Sequence, residues 1–484
     1  MFTRRHAIRL GLTAGAVGAV GSAGALAETL AAVPPARAAT PAAAGVAQFS
    51  VPLTVPPRLR PYRSTATTDY YAVTASRVFR EILPGTRTEV LAYNGSFPGP
   101  TVRARSGRRA VVRQTNALDT PVSVHLHGGA NPMESDGGAM DTIAPGATKT
   151  YVYDNRQPAA TLWTHDHAHH MEAEHVYRGL SGLYLLGDRD EDALGLPSGE
   201  FDVPLMVRDA RFDDQGAMVY AMGDAENRST ILVNGRPWPR MRVKARKYRF
   251  RMVNSANLRV FVLCLSDGGE IVQIGADGGL LEAPVSTQVL VLSPGERADF
   301  VIDFSRYAPG TQLLLQNLIG PGPTDQVGSV MRFDVGDPAP DRSTVPATLA
   351  AYPALPEPTV ERSFTLRMDE PGTGHMAYIN EKTFDPDRID TTIAWGTTEV
   401  WTVTNTSETI PHNFHTHLVQ FRILERDGQP VPPAEAGRKD TVFLFPGQSV
   451  RLQLTFDSHR GVFPYHCHMI DHSAMGMMAQ MEIV

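Results

Sequence analysis

Sixteen histidines and two cysteines stand in a chain of 484 residues. Ten of the histidines fall into four short clusters: His125-Leu126-His127, His165-Asp166-His167, His412 to His417, and His466-Cys467-His468 with His472 behind it. On a β-strand successive side chains alternate, so each His-x-His pair places both imidazoles on one face. The four pairs are 125/127, 165/167, 415/417 and 466/468. Together they offer eight imidazoles, a donor suited to Cu, Zn, Fe or Ni and too numerous for one ion. The fourth cluster adds sulfur. Cys467 points away from its two neighbours, His412 lies three residues before His415, and His472 and Met477 follow Cys467 by five and ten residues. Two His, one Cys and a weak axial Met form the ligand set of a blue-copper electron-transfer site. Cys467 is flanked by two histidines of the larger group, so the two metal sites would be joined covalently through one residue each way.

Three copies of one unit must position these residues. Asn94, Asn234 and Asn380 each follow an apolar residue, and each leads through a turn with Pro into a short alternating stretch (Arg109–Arg113, Lys247–Val253, Glu399–Val403) that closes on Asn116, Asn254 or Asn405. A second marker, Pro145-Gly146, Pro294-Gly295 and Pro446-Gly447, recurs in register. Alternating segments such as 148–153 and 449–454 follow it. Counting 19 and 21 residues from Gly146 reaches His165 and His167, and from Gly447 it reaches His466 and His468. From Gly295 it reaches only Leu314 and Gln316. The outer copies carry the ligands and the middle copy carries none. With 42 Gly and 37 Pro, the pattern predicts an all-β chain of three Greek-key domains, at 66–190, 200–336 and 359–484. The linkers fall near 188–200 and in the proline-rich 336–358, and 39–65 is expected to be an extended segment.

The N-terminus reads as an address. Arg4-Arg5, an Ala/Gly-rich uncharged stretch and Ala36-Arg37-Ala38 make residues 1–38 similar to a twin-arginine export signal. The expected location is periplasmic, cell-envelope or secreted. The net charge of −6 becomes more negative without Arg4, Arg5, Arg9, Arg37 and Glu28. It gives no reason to expect nucleic-acid or anionic-membrane binding. Two cysteines exclude a disulfide-rich scaffold and a Cys₄ metal site. Neither a nucleophile elbow nor a Gly-rich phosphate loop is present.

The segments His125-Leu126-His127-Gly128, Trp163-Thr164-His165-Asp166-His167, His412-Asn413-Phe414-His415-Thr416-His417 and His466-Cys467-His468 to Met477 resemble the four copper motifs of multicopper oxidases. Among these the chain is most similar to three-domain bacterial laccases of the spore-coat laccase and bilirubin oxidase group. The resemblance covers essentially the whole chain after residue 38. It implies three consecutive cupredoxin-like β-barrels and four coppers that couple donor oxidation to reduction of O₂ to water. It also implies His412, Cys467, His472 and Met477 at a type 1 copper, and His125 and His415 at a type 2 copper. His127, His165, His167, His417, His466 and His468 would hold a type 3 pair, with the trinuclear cluster between domains one and three. Asp136, nine residues after His127, matches the family's acid near the type 2 copper, although a solvated turn is the plainer reading of Glu134-Ser135-Asp136-Gly137. The relatives usually carry Glu directly after the last type 1 histidine; here that residue is Ser473.

The expected partners are O₂ and small aromatic reductants or metal ions, with the mature chain a monomer away from the membrane. Phenols and aromatic amines are the leading donor class. The alternatives are a Cu(I) or Mn(II) oxidase and a copper-free envelope scaffold. His169, His170 and His175, with Glu172 and Glu174 among them, read as a loop beside the cluster or as an auxiliary metal site. Met469, Met475, Met478 and Met481 read as packing, and Cys264 as a buried free thiol.

Overall fold

A computed structural model describes residues 46–370 and 374–484. The segment read as an export signal lies outside them. Each third of the chain builds two facing sheets. In the first third, one sheet runs Arg58–Leu59, Gly99–Arg105, Ser181–Gly187, Ala160–Asp166, Val124–His127. The other runs Arg63–Ser64, Thr68–Arg80, Arg109–Asn116, Thr148–Tyr153, with Thr88–Tyr93 on Thr68–Arg80. The middle third has seven-stranded and five-stranded sheets, and the last third two of five strands. The fold is all-β, three consecutive cupredoxin-like barrels. Each barrel closes over its own apolar core, centred on Tyr151 and Leu162, on Phe250 and Phe333, and on Trp401 and Phe414. A fully buried side chain of this size contributes about 1.5–3 kcal/mol.

The repeated residues recur because each solves the same backbone problem. Arg109–Asn116, Lys247–Asn254 and Thr398–Asn405 each pair parallel with an earlier strand and antiparallel with a later one. Asn116, Asn254 and Asn405 end these strands. Each Oδ1 accepts the backbone N–H two residues on, and each Nδ2 donates to two carbonyls. Gly146, Gly295 and Gly447 sit at φ 76°, 88° and 77°, a region that glycine enters without strain. Their N–H groups donate to the carbonyls of those same three asparagines. Asn94, Asn234 and Asn380 also have positive φ, and each Oδ1 accepts a backbone N–H of the adjacent strand at 2.8 Å, from Thr74, Met206 and Thr365.

The stretch expected as a linker at 188–200 is more ordered than a linker. Asp188 caps the helix Arg189–Ala193 through Glu191 N–H, and Glu191 is buried against Arg249 and Arg251 of the middle barrel. Beyond Pro338 the second linker is irregular up to Val360, as its prolines dictate. Leu349 pins it beside Leu196, Ile274 and Val301.

Candidate metal centre

Pairing register brings the His-x-His strands together. His125 lies opposite His165 across Val124–His127 and Ala160–Asp166, and His415 lies opposite His466 across His412–Thr416 and Gly461–His466. The first and last barrels then place these faces against each other. His125 stacks on His417 with centroids 3.6 Å apart, and His127 on His415 at 3.9 Å, so the cage has an approximate two-fold relation. All eight imidazoles are buried. Their nitrogens converge in sets. His468 Nε2 lies 3.0 Å from His127 Nδ1 and 3.3 Å from His165 Nε2. His466 Nε2 lies 3.1 Å from His167 Nε2 and 3.3 Å from His417 Nε2. His125 Nε2 and His415 Nε2 are buried with no hydrogen-bond partner. Unsatisfied buried nitrogens are costly unless something else accepts their lone pairs, and a cation does so.

The opposite ring nitrogens are held. His125 Nδ1 donates to Asp136 O (2.7 Å), His165 Nδ1 to Asp166 O (2.9 Å), His415 Nδ1 to Asp440 O (2.8 Å) and His466 Nδ1 to Cys467 O (3.0 Å). A carbonyl can only accept, so the proton sits on Nδ1 and the Nε2 lone pair faces the cage. His417 Nδ1 reaches Asp136 Oδ2 at 2.7 Å, and His127 Nε2 reaches Asp440 Oδ1 at 2.8 Å. Burial first, and the neighbouring imidazoles second, hold His125, His127, His165, His417, His466 and His468 well below the ordinary histidine range. Neutral rings are what a metal requires.

A second group lies one residue away. His412 Nδ1 and His472 Nδ1 are 3.1 Å apart, and Cys467 Sγ is 3.9 Å and 3.7 Å from them. Ser407 Oγ fixes His412 Nε2 at 2.9 Å. Burial pushes the Cys467 thiol up to about 12, so a bound cation is what would make it a thiolate. Met477 is fully buried; its N–H donates to His472 O and its carbonyl accepts from Cys467 N–H. The donor set of two imidazoles and a thiol fits copper.

Asp136 is not in a solvated turn. It ends the one-turn helix Met133–Asp136 and is buried, and burial raises its carboxyl well above the usual range. Residues 172–178 form a helix rather than a loop, with Glu172 and His175 buried. His175 serves the scaffold by bridging Asp166 Oδ1 and Thr120 Oγ1 at 3.1 Å each. His169 and His170 stack at 3.7 Å. Among the described residues, no set of converging ligand atoms includes His169, His170 or His175. Met469, Met478 and Met481 are buried; Met469 and Met481 lie in the third core, with Met475 packed against it. Cys264 is a buried free thiol.

The sequence reading missed Asp440 and Arg297. Asp440 joins His127 and, through its carbonyl, His415, and takes a bidentate ion pair from Arg297 of the middle barrel at 2.7 and 2.5 Å. Both are about 1% exposed or less. The ligand-free middle repeat therefore supports the cage. A Cβ added to Gly295 would lie 2.8 Å from the His468 ring. Neither charge is marked locally: Asp440 follows Arg438-Lys439 and Arg297 follows Glu296, so both read as ordinary charges at the start of a strand.

Residues 74–191 and 355–484 match family models described as multicopper oxidase. The chain is 34% identical to a laccase of Bacillus subtilis (strain 168), over 90% of this chain and 98% of the relative. It is 38% identical to a bilirubin oxidase of Albifimbria verrucaria, over 89% and 80%. The crystal structure of a laccase from Pediococcus acidilactici Pa5930 superposes with a TM-score of 0.84 at 33% identity, covering 92% of this chain and 95% of that one. With two family models and these relatives matched across a chain that carries the paired-histidine cage, this protein belongs to the multicopper oxidase family.

Proposed function

We propose that the chain couples one-electron oxidation of phenolic or aromatic amine donors to four-electron reduction of O₂ to water. The observation that carries this reading is the strand end at His466-Cys467-His468. Cys467 Sγ belongs to the His412–His472 group, while both flanking imidazoles belong to the cage. Copper in these sites supplies one-electron exchange at the donor side and storage of the four electrons that O₂ requires.

His412, Cys467, His472 and Met477 would hold the type 1 ion, and His125 and His415 the type 2 ion. His127, His165 and His468 would hold one type 3 ion, and His167, His417 and His466 the other, four coppers per chain. Asp136 orients His125 and His417 together and keeps a second carboxylate oxygen without a partner, so it can hold a proton beside the cage. A cavity of about 300 Å³ reaches Gly128 and Leu418, the neighbours of His127 and His417, and supports exchange of O₂ and water with solvent. The paired arginines at 4 and 5 support export by the twin-arginine route. Among the described residues no helix is long and apolar enough to cross a membrane.

O₂ uptake by the copper-loaded chain, compared across phenols, aromatic amines, Cu(I) and Mn(II), tests the donor class. Phenols or amines are expected to be preferred, and a strong preference for Cu(I) would make this a metallo-oxidase. Less than one copper per chain after reconstitution would favour the scaffold reading. Two variants test the residue roles. Met477→Leu should raise the type 1 potential, because a weak donor is lost, and should leave the cage loaded; an unchanged potential in a redox titration would remove Met477 from the ligand set. Asp136→Asn should lower turnover on every donor by about 10²-fold when rates are expressed per copper-loaded cage, and wild-type turnover would count against its proton role.

A further inference from the structure

Glu172 is a buried carboxyl whose charge no cation offsets. It opens the helix Glu172–Arg178, and its N–H donates to Ala168 O at 2.9 Å, which ties it to the residue after the cage histidine His167. It is 2% exposed, and neither carboxylate oxygen has a hydrogen-bond partner. The helix packs Ala173 and Val176 on Ile470 of the helix Ile470–Ala474, which also carries His472 and Ser473. Ser473 Oγ is buried and unpartnered too. It lies close enough to favour the ionised carboxyl, though less than burial disfavours it, without completing a hydrogen bond. Two carboxylate oxygens and one hydroxyl thus lie buried with no completed hydrogen bond; the N–H groups of Glu172 and Met171 favour the charge without outweighing burial.

No positive charge compensates Glu172. Asp166, on its own segment, disfavours ionisation further. Asp471, on the facing helix, is taken up by Arg228, Gly223 N–H and Asn257 at 2.8 Å each, and Tyr220 Oη stands 3.5 Å from it. Burial therefore pushes Glu172 up to about 8, so it carries its proton at neutral pH.

We propose that Glu172, acting with the Ser473 hydroxyl, is the proton-relay group for O₂ reduction in the cage. It takes over from the first barrel the part that relatives assign to a glutamate where this chain has Ser473. This rests on the oxidase reading above. Each O₂ takes four electrons from donors and four protons from solvent to give two waters. In each transfer the Glu172 O–H bond breaks and the proton moves by way of the Ser473 hydroxyl, which can both accept and donate. The carboxylate left behind takes the next proton from solvent, and nothing is oxidised or reduced at Glu172. A donor whose affinity for protons sits near the working pH is efficient in both directions.

Three variants of the full copper-loaded chain test this: Glu172→Gln, Glu172→Asp, and the exchange Glu172→Ser with Ser473→Glu. At saturating O₂ and donor, Glu172→Gln is expected to lower turnover by about 10²-fold and to change the pH profile. Copper content and anaerobic reduction of the type 1 site should stay as in the wild type. Glu172→Asp should keep part of the turnover, and the exchange should restore most of it. A second readout needs no copper. Between the ordinary carboxylate range and about 8, folded Glu172 keeps its proton while the unfolded chain's carboxyl ionises, so the wild type loses stability across that window; glutamine does not. The melting temperature of copper-free Glu172→Gln should therefore gain on the wild type through that window and stay level above it. Wild-type turnover and pH profile in loaded Glu172→Gln, a loaded exchange variant without turnover, or a pH-independent melting difference would each overturn the proposal. A wild-type chain that holds copper but takes up no O₂ would instead refute the oxidase reading.

Discussion

Cys467→Ser is expected to abolish both the blue absorption and oxidase turnover while the cage keeps its copper. The Cys467 sulfur is the one thiolate donor in the His412–His472 group, Met477 being a weak thioether, and a hydroxyl oxygen does not replace it at a copper site. The side chain is fully buried, and the residue's N–H is fixed by Met477 O, so Ser is accommodated without moving His466 or His468. The loss would then report the broken link rather than a displaced cage. Absorption spectroscopy, copper analysis and O₂ uptake on one preparation separate the two. Turnover on a phenol that survives the substitution would refute the argument that electrons enter through this residue.

Asp440→Asn has two expected consequences from one carboxylate. Arg297 is fully buried, and its other acceptors are the carbonyls of Thr161, Gly295 and Asp277, with Asp277 Oδ1 no nearer than 3.8 Å. Removing one partner of such a pair costs about 3–5 kcal/mol, because the guanidinium stays buried without its counter-charge. His127 Nε2 also loses its anionic partner, which is expected to weaken metal binding in the cage by about 10–100-fold. The His412–Cys467–His472 group does not touch Asp440 and should keep its copper. Burial opposes ionisation of Asp440, but Arg297 and then His127 outweigh it and hold the carboxyl well below its usual range. Its contribution to stability is therefore present above the ordinary carboxylate range and lost as the pH falls through the lowered value. Denaturant unfolding of the copper-free protein measures the cost without linkage to metal. Adding Arg297→Leu should return much of the stability and none of the copper affinity. A double variant as unstable as Asp440→Asn would contradict the ion-pair account.

The parts of the molecule legible in the sequence were those fixed by local rules. Strand alternation placed His125 beside His127 and His466 beside His468. Asn116, Asn254 and Asn405 could be matched because each ends the same kind of strand, and Gly146, Gly295 and Gly447 because each donates to one of those asparagines. What stayed hidden depends on packing between barrels. Nothing near Asp440 announces that Arg297, 143 residues earlier, will face it. Glu172 looked like one acid among surface histidines, because its burial is created by a helix some 300 residues further along. Asp136 was placed beside the cage only by the family resemblance; the contact with His417 across the two barrels, which helps bury it, is not written in its local sequence. The middle repeat looked inert because it lacks ligands, yet Gly295 and Arg297 press against the cage.

The most direct test of the coupling is the amount of donor oxidised per O₂ consumed by the copper-loaded wild-type chain. A cage that completes the reduction to water predicts four one-electron donor oxidations per O₂ with no peroxide released. Two per O₂ with peroxide accumulating, or no O₂ uptake by a chain that holds its copper, would contradict it.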